Sequence, residues 1–153
     1  MGHTKQKARK FIYRTSVSWT EEKKGILCSA GKPVIEVATP PEFKGHEGMW
    51  TPEELFVASV NICIKTIFLH YAQRDDFEFV SYESEAEGVL ERVENKFMFS
   101  EIKIKPKITV ISKDQTEKAK ELIRLSEENC LISNSIKSKV EIMPEIEIRD
   151  SKE

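Results

Sequence analysis

The stretch Thr51-Pro52-Glu53-Glu54-Leu55-Phe56-Val57-Ala58-Ser59-Val60-Asn61-Ile62-Cys63 decides the fold. Thr51 reads as a helix N-cap, Pro52 fits the first helical position, where its missing N–H costs nothing, and Glu54 completes a capping box. The spacing predicts a helix to about Gln73, apolar on nearly every side through Leu55, Phe56, Val57, Ala58, Val60, Ile62, Ile64, Ile67, Phe68 and Leu69. One sheet covers one face of a helix. The second face calls for more protein, which in a chain of 153 residues points to a second subunit. Ser59, Asn61, Lys65, Thr66 and His70 interrupt the apolar run, which argues against a bilayer span.

Upstream of this helix, Tyr13, Thr15, Val17 and Trp19 alternate with Arg14, Ser16 and Ser18, the period of a half-buried strand over residues 11–19. Residues 21–25 read as a turn, and 26–29 and 34–38 as two further strands about Ala30-Gly31-Lys32-Pro33. Pro40, Pro41, Gly45 and Gly48 make 39–50 a loop, long enough to be a functional rim. Downstream, residues 77–90 and 96–111 read as a hairpin joined near Glu94-Asn95. A helix opening at Asp114 or Thr116 follows, carrying Ala119, Leu122, Ile123 and Leu125 at helical spacing and ending near Asn129 or running on through Cys130. Val140, Ile142, Ile146 and Ile148 close the chain as one alternating strand. The order is α+β, without a parallel βαβ repeat or an internal sequence repeat.

Length and composition predict one folding unit, residues 10–150, after a flexible basic arm at 1–9 that lacks the apolar segment of a secretory signal. Lys plus Arg number 24 and Asp plus Glu 26, a net charge of −2 mixed along the chain, so no basic stripe marks a nucleic-acid partner. Three cysteines without secretory context fit the reducing cytoplasm, where a disulfide would be transient chemistry rather than a staple.

Cys63 and Cys130 are the strongest nucleophiles in the chain. Two such thiols form a redox couple if the fold joins them, and on the residues alone each also reads as a small buried hydrophobe. Cys63 lies about three turns into its helix, beyond the reach of the N-terminal dipole, and needs a nearby cation to ionise. Cys28 reads as structural. Glu54 is explained by helix capping; Glu53 is freer, but about 15 Å of helix at 1.5 Å per residue separates it from its own Cys63. His70 stands roughly 10 Å along the helix from Cys63, too far for a Cys–His hydrogen bond. No cysteine or histidine spacing matches a metal site, and no phosphate loop or nucleophile elbow is present, so neither metal nor cofactor is expected.

Two blocks, Thr51-Pro52-Glu53-Glu54-Leu55-Phe56 with Cys63, and Cys130-Leu131-Ile132-Ser133-Asn134-Ser135 leading into Lys139-Val140-Glu141-Ile142, resemble the signature blocks of the OsmC/Ohr family of osmotically inducible and organic hydroperoxide resistance proteins. The likeness extends over nearly the whole chain. It implies an intertwined homodimer, with antiparallel sheets wrapped around two central helices, and thiol peroxidase activity on organic (alkyl) hydroperoxides at the subunit interface. It further implies that Cys63 is the peroxidatic thiolate, that Cys130 resolves its sulfenic acid as a disulfide, and that an external dithiol such as a lipoyl protein or thioredoxin resets the pair. Family peroxidases carry an arginine in the turn between the first strands, held by the glutamate matching Glu53. Here that turn is Glu21-Glu22-Lys23-Lys24-Gly25, which leaves Lys23 or Lys24 as the thiolate-stabilising cation. A lysine is a point charge and cannot reproduce the bidentate fork. The alternative reading is a non-catalytic dimer of the same fold that binds a small lipophilic ligand at its interface.

Overall fold

The computed structural model describes residues 8–149; residues 1–7 of the expected N-terminal arm lie outside them. The chain forms two compact units, 1–53 and 54–153.

In the first unit, β1 (Ser16–Trp19), β2 (Lys24–Cys28) and β3 (Ile35–Ala38) form an antiparallel sheet in that order. The alternation expected from residue 11 is realised as strand only from Ser16. The Trp19 indole N–H donates to the Glu22 carbonyl at 2.9 Å, and Glu22 itself takes a φ of 48°, so the β1–β2 turn is tight. The 39–50 loop closes on itself: Gly45 N–H donates to the Pro40 carbonyl at 3.0 Å, His46 N–H to the Thr39 carbonyl at 2.9 Å, and Ala38 N–H to the Trp50 carbonyl at 2.9 Å. A Cβ on Gly45 would stand 1.7 Å from the Thr39 carbonyl oxygen, so only glycine fits that closure.

Helix α1 (Pro52–Arg74) starts at the proline and runs into the second unit, close to the expected bounds. It is the one helix among the described residues long and apolar enough to cross a membrane. Its Val60, Cys63, Ile64, Phe68 and Ala72 are buried, while Ile62 and Leu69 stay exposed. The polar interruptions are satisfied locally. Thr66 Oγ donates to the Ile62 carbonyl at 2.9 Å and Ser59 Oγ to the Phe56 carbonyl at 2.7 Å. Asn61 exchanges hydrogen bonds with Ser84, at 2.6 Å from the serine hydroxyl and 3.4 Å to its carbonyl. At the helix end Asp75 accepts from Arg74 at 2.7 Å and from Lys118 at 2.7 Å. Both cations hold its carboxyl well below the usual aspartate range.

β4 (Ser81–Val93) and β5 (Lys96–Val110) pair antiparallel through the Glu94-Asn95 turn, where both residues have positive φ, as a two-residue hairpin of matching twist requires. The register shifts by one between Val89 and Leu90, leaving Ser100 as the extra residue of a bulge. Ile102, Ile104, Ile108 and Val110 alternate onto the buried face of β5. Val60 packs on the first pair. Phe68 and Ala72 pack on the second, together with Ala119, Leu122 and Ile123 of α2 (Thr116–Asn129).

The end of the chain departs from the expected single strand. β6 (Lys139–Ile142) and β7 (Glu145–Ile148) are separate, and both run parallel to β5, so β5, α2 and β6 make a single parallel crossover without a βαβ repeat. The break has a local cause. On β5 the carbonyls of Ile104 and Val110 accept from Met143 and Arg149, so alternate residues from 104 to 110 aim their backbone groups at the β6–β7 edge. Pro106 lies among them without an N–H, and the partner strand is interrupted opposite it by Met143-Pro144.

Candidate active site

Cys63 occupies the buried face of α1, and Cys130 follows the last residue of α2 in an extended conformation, φ −71° and ψ 107°. Far apart in sequence, the two thiols meet in one buried cluster with Ile64, against which Ile67, Ile132 and Ile142 pack. Both are free thiols; Cys130 is fully buried and Cys63 is 9% exposed. The connection after α2 is tightly folded. The Asn134 N–H donates to the Cys130 carbonyl at 3.0 Å, the Ser135 N–H to the Ile132 carbonyl at 3.0 Å, and the Ser135 hydroxyl to the Leu131 carbonyl at 2.7 Å. This folding aims a backbone N–H at the Cys130 sulfur: Ser133 N–H donates to Cys130 Sγ at 3.4 Å.

Burial is the largest influence on Cys63 and pushes its thiol above the ordinary value. The Ile132 amide opposes that, the adjacent Cys130 thiol adds to it, and the Leu131 amide again opposes it. The folded site therefore favours the neutral Cys63 thiol, whose proton must leave before its sulfur can act as a nucleophile.

Lys23, Lys24, Cys28 and Glu53 lie in the first unit. Lys23 Nζ donates to the Phe43 carbonyl at 3.1 Å, and Lys24 lies 3.8 Å from Glu21, so the turn's two lysines already have partners there. Glu22 stands 3.3 Å from His46, a second tie between the turn and the 39–50 loop. Glu53, at the start of α1, has one buried carboxylate oxygen, Oε2, without a hydrogen-bond partner among the described residues. Cys28 ends β2, and His70 is exposed against Tyr71. Among the described residues no three His, Cys, Asp or Glu side chains gather closely enough to hold a metal ion. The participant that sequence reasoning missed is a backbone group, the Ser133 amide on Cys130 Sγ. Its only sequence signal is the polar run Ser133-Asn134-Ser135 three residues after a cysteine at a helix end.

Residues 45–145 match the family of OsmC-like proteins. No curated protein matches the chain in sequence. Among solved structures, an OsmC-like protein of unknown function from Vibrio cholerae superposes with a TM-score of 0.80 at 22% identity, over 88% of this chain and 99% of that one. An organic hydroperoxide resistance protein from Elizabethkingia anophelis, with thiocyanate bound, gives 0.70 at 19% identity over 92% and 100% of the two chains. A Legionella pneumophila organic hydroperoxide resistance protein gives 0.66 at 22% identity over 91% and 100%. With the family match spanning both cysteines and these structures sharing its α+β fold, the chain belongs to the OsmC-like family.

Proposed function

We propose that the protein is a thiol peroxidase for organic hydroperoxides, acting in the cytoplasm as a homodimer. The observation that carries this reading is the meeting of Cys63 and Cys130 in one buried, apolar cluster. In the first step the Cys63 thiolate attacks the distal oxygen of ROOH. The O–O bond breaks, sulfur is oxidised to a sulfenic acid, and the alkoxide takes a proton to leave as the alcohol. Cys130 then attacks that sulfur as its own proton leaves; an S–S bond forms and water departs. An external dithiol, a lipoyl protein or thioredoxin, exchanges with the disulfide and leaves oxidised. No bound cofactor, nucleic acid or membrane takes part.

Isoleucines around the sulfurs favour a lipophilic R group. The exposed Ile62 and Leu69 on α1, and Val17 and Trp19 on β1, supply apolar surface for a second copy. Glu53, whose buried Oε2 has no hydrogen-bond partner among the described residues, is the residue to hold a cation for the thiolate, and Lys23 or Lys24 would have to give up its present partner to serve.

Purified protein mixed with cumene hydroperoxide and a dithiol should consume peroxide, and Cys63→Ser should not. Consumption no greater than in the variant would sink the enzyme reading. The raised Cys63 thiol and the engaged lysines favour a second reading, a dimer that binds a small lipophilic ligand without turnover. That reading predicts saturable binding of an apolar probe which Cys63→Ser leaves intact, with no peroxide consumed.

A further inference from the structure

We propose that a dithiol reducing the Cys63–Cys130 disulfide enters at Cys63, that Cys130 is the sulfur that leaves, and that Ser133 is the positioning residue whose N–H receives the departing thiolate. This step presupposes the disulfide of the peroxidase reading but not the oxidant that forms it.

The two sulfurs are not equally open to an incoming thiolate. Cys63 is 9% exposed and Cys130 not at all, so attack from solvent reaches Cys63. The reductant thiolate bonds to Cys63 Sγ as the Cys63–Cys130 bond breaks, and the electron pair of that bond departs on Cys130. Cys130 directly follows the last residue of α2, where the free carbonyls of a helix end oppose negative charge. Two contacts offset this. The Ser133 N–H stands 3.4 Å from Cys130 Sγ, and Asn134 Nδ2 donates to the Glu128 carbonyl at 3.4 Å, occupying one of those carbonyls. Bonds that involve neither sulfur hold this donor in place. The Asn134 and Ser135 N–H groups donate to the Cys130 and Ile132 carbonyls, both at 3.0 Å, and the Ser135 hydroxyl donates to the Leu131 carbonyl at 2.7 Å. A sulfur leaving Cys63 therefore meets a donor that is already oriented and needs no reorganisation. The second thiol of the reductant then attacks the reductant sulfur of the mixed disulfide, and Cys63 leaves. Two electrons have passed to the protein, two protons end on Cys63 and Cys130, and the reductant departs as its disulfide.

The test starts from full-length protein oxidised with diamide, so that no hydroperoxide is involved. Brief exposure to 2-mercaptoethanol, a quench with excess N-ethylmaleimide and peptide mapping locate the mixed disulfide. The adduct should fall on Cys63 and the maleimide on Cys130, in about tenfold excess over the reverse, because access decides which sulfur is attacked. Ligation of residues 1–129 to a synthetic 130–153 peptide through Cys130 gives the full chain with an ester in place of the Ile132–Ser133 amide, which removes the Ser133 N–H and no side chain. Against the all-amide chain made in the same way, the ester should slow formation of the mixed disulfide by about tenfold, the loss of one hydrogen bond to a developing charge. Release of that adduct by a second thiol, in which Cys63 leaves, should change by less than about twofold, whereas a merely loosened turn would alter both steps. If the ester chain does not fold, nitrogen-15 spectra of the natural chain read the same contact: the Ser133 amide should shift as rising pH ionises Cys130, in step with Cys130 alkylation. An adduct on Cys130 or on both sulfurs equally would overturn the proposal. So would an ester that acts on neither step or on both, an amide that does not shift, or a failure of diamide to join Cys63 to Cys130. The expected pattern in a protein that consumes no cumene hydroperoxide upholds the exchange and defeats the peroxidase reading alone. The contrary pattern in a protein that consumes it defeats the exchange alone.

Discussion

Cys130 closes a turn with its sulfur and shares an apolar cluster with a second sulfur, so its reduced form is part of the structure. Cys63 is the more accessible of the two and is the one a peroxide would reach first. Because burial holds its thiol above the ordinary value, the neutral form is favoured in the folded chain. The sign follows: this group's contribution to stability is complete below the unfolded thiol value and is lost as pH rises through the folded one. Alkylation of Cys63 should therefore keep accelerating with pH beyond the point where an ordinary thiol levels off, near 8.5 to 9. A plateau reached below about pH 7 would show a thiolate stabilised by groups other than those packed on it here. The sequence marked both cysteines, but their meeting depends on where α2 returns against α1, which no local pattern encodes. Nor does a side-chain motif announce the Ser133 amide on Cys130, since every residue but proline carries one.

At the scale of elements, α1 was legible because its cap, its proline and its apolar run agree with one another. The hairpin was legible for the same reason, through the alternating isoleucines of β5 and the Glu94-Asn95 turn. Its solvent face adds a register device. Glu83, Glu85 and Glu87 stand opposite Lys107, Lys105 and Lys103, and Lys103 and Lys107 in turn stand opposite Glu141 on β6 and Glu145 on β7. Each exposed pair is worth about 0–1 kcal/mol, yet a one-residue slip would set charges against the buried isoleucines. The parallel pairing of β6 and β7 was not legible, because four-residue strands carry no signal of their partner and Pro106 acts on them across the sheet rather than along the chain. Helix α1 lies close over β4: a Cβ on Gly88 would stand 2.5 Å from a Val57 methyl and 3.1 Å from the Phe99 ring. Gly88→Ala should cost about 1–3 kcal/mol in denaturant unfolding, as overpacking does, and an unchanged midpoint would show that the helix can move away freely.

For the whole molecule, the question is what covers the apolar surface left open. In the first unit Phe11, Ile12, Tyr13, Val17 and Trp19 are all more than 70% or about 70% exposed, and in the second Ile62 is 61% exposed. Residues of this kind on so short a chain favour association, the same conclusion reached from the all-round apolar helix in the sequence. Sedimentation at micromolar concentration should give a species of twice the 17.6 kDa chain mass. Trp19→Glu with Ile62→Glu should shift it toward monomer, and a monomeric wild-type protein would remove the dimer from the account.

Two sulfurs acting as one redox unit are the centre of the proposed chemistry. Thiol counting after one equivalent of cumene hydroperoxide, followed by peptide mapping, examines that most directly. The predicted result is the loss of two thiols per chain and a Cys63–Cys130 disulfide, with Cys28 untouched; loss of a single thiol, or of none, would contradict it.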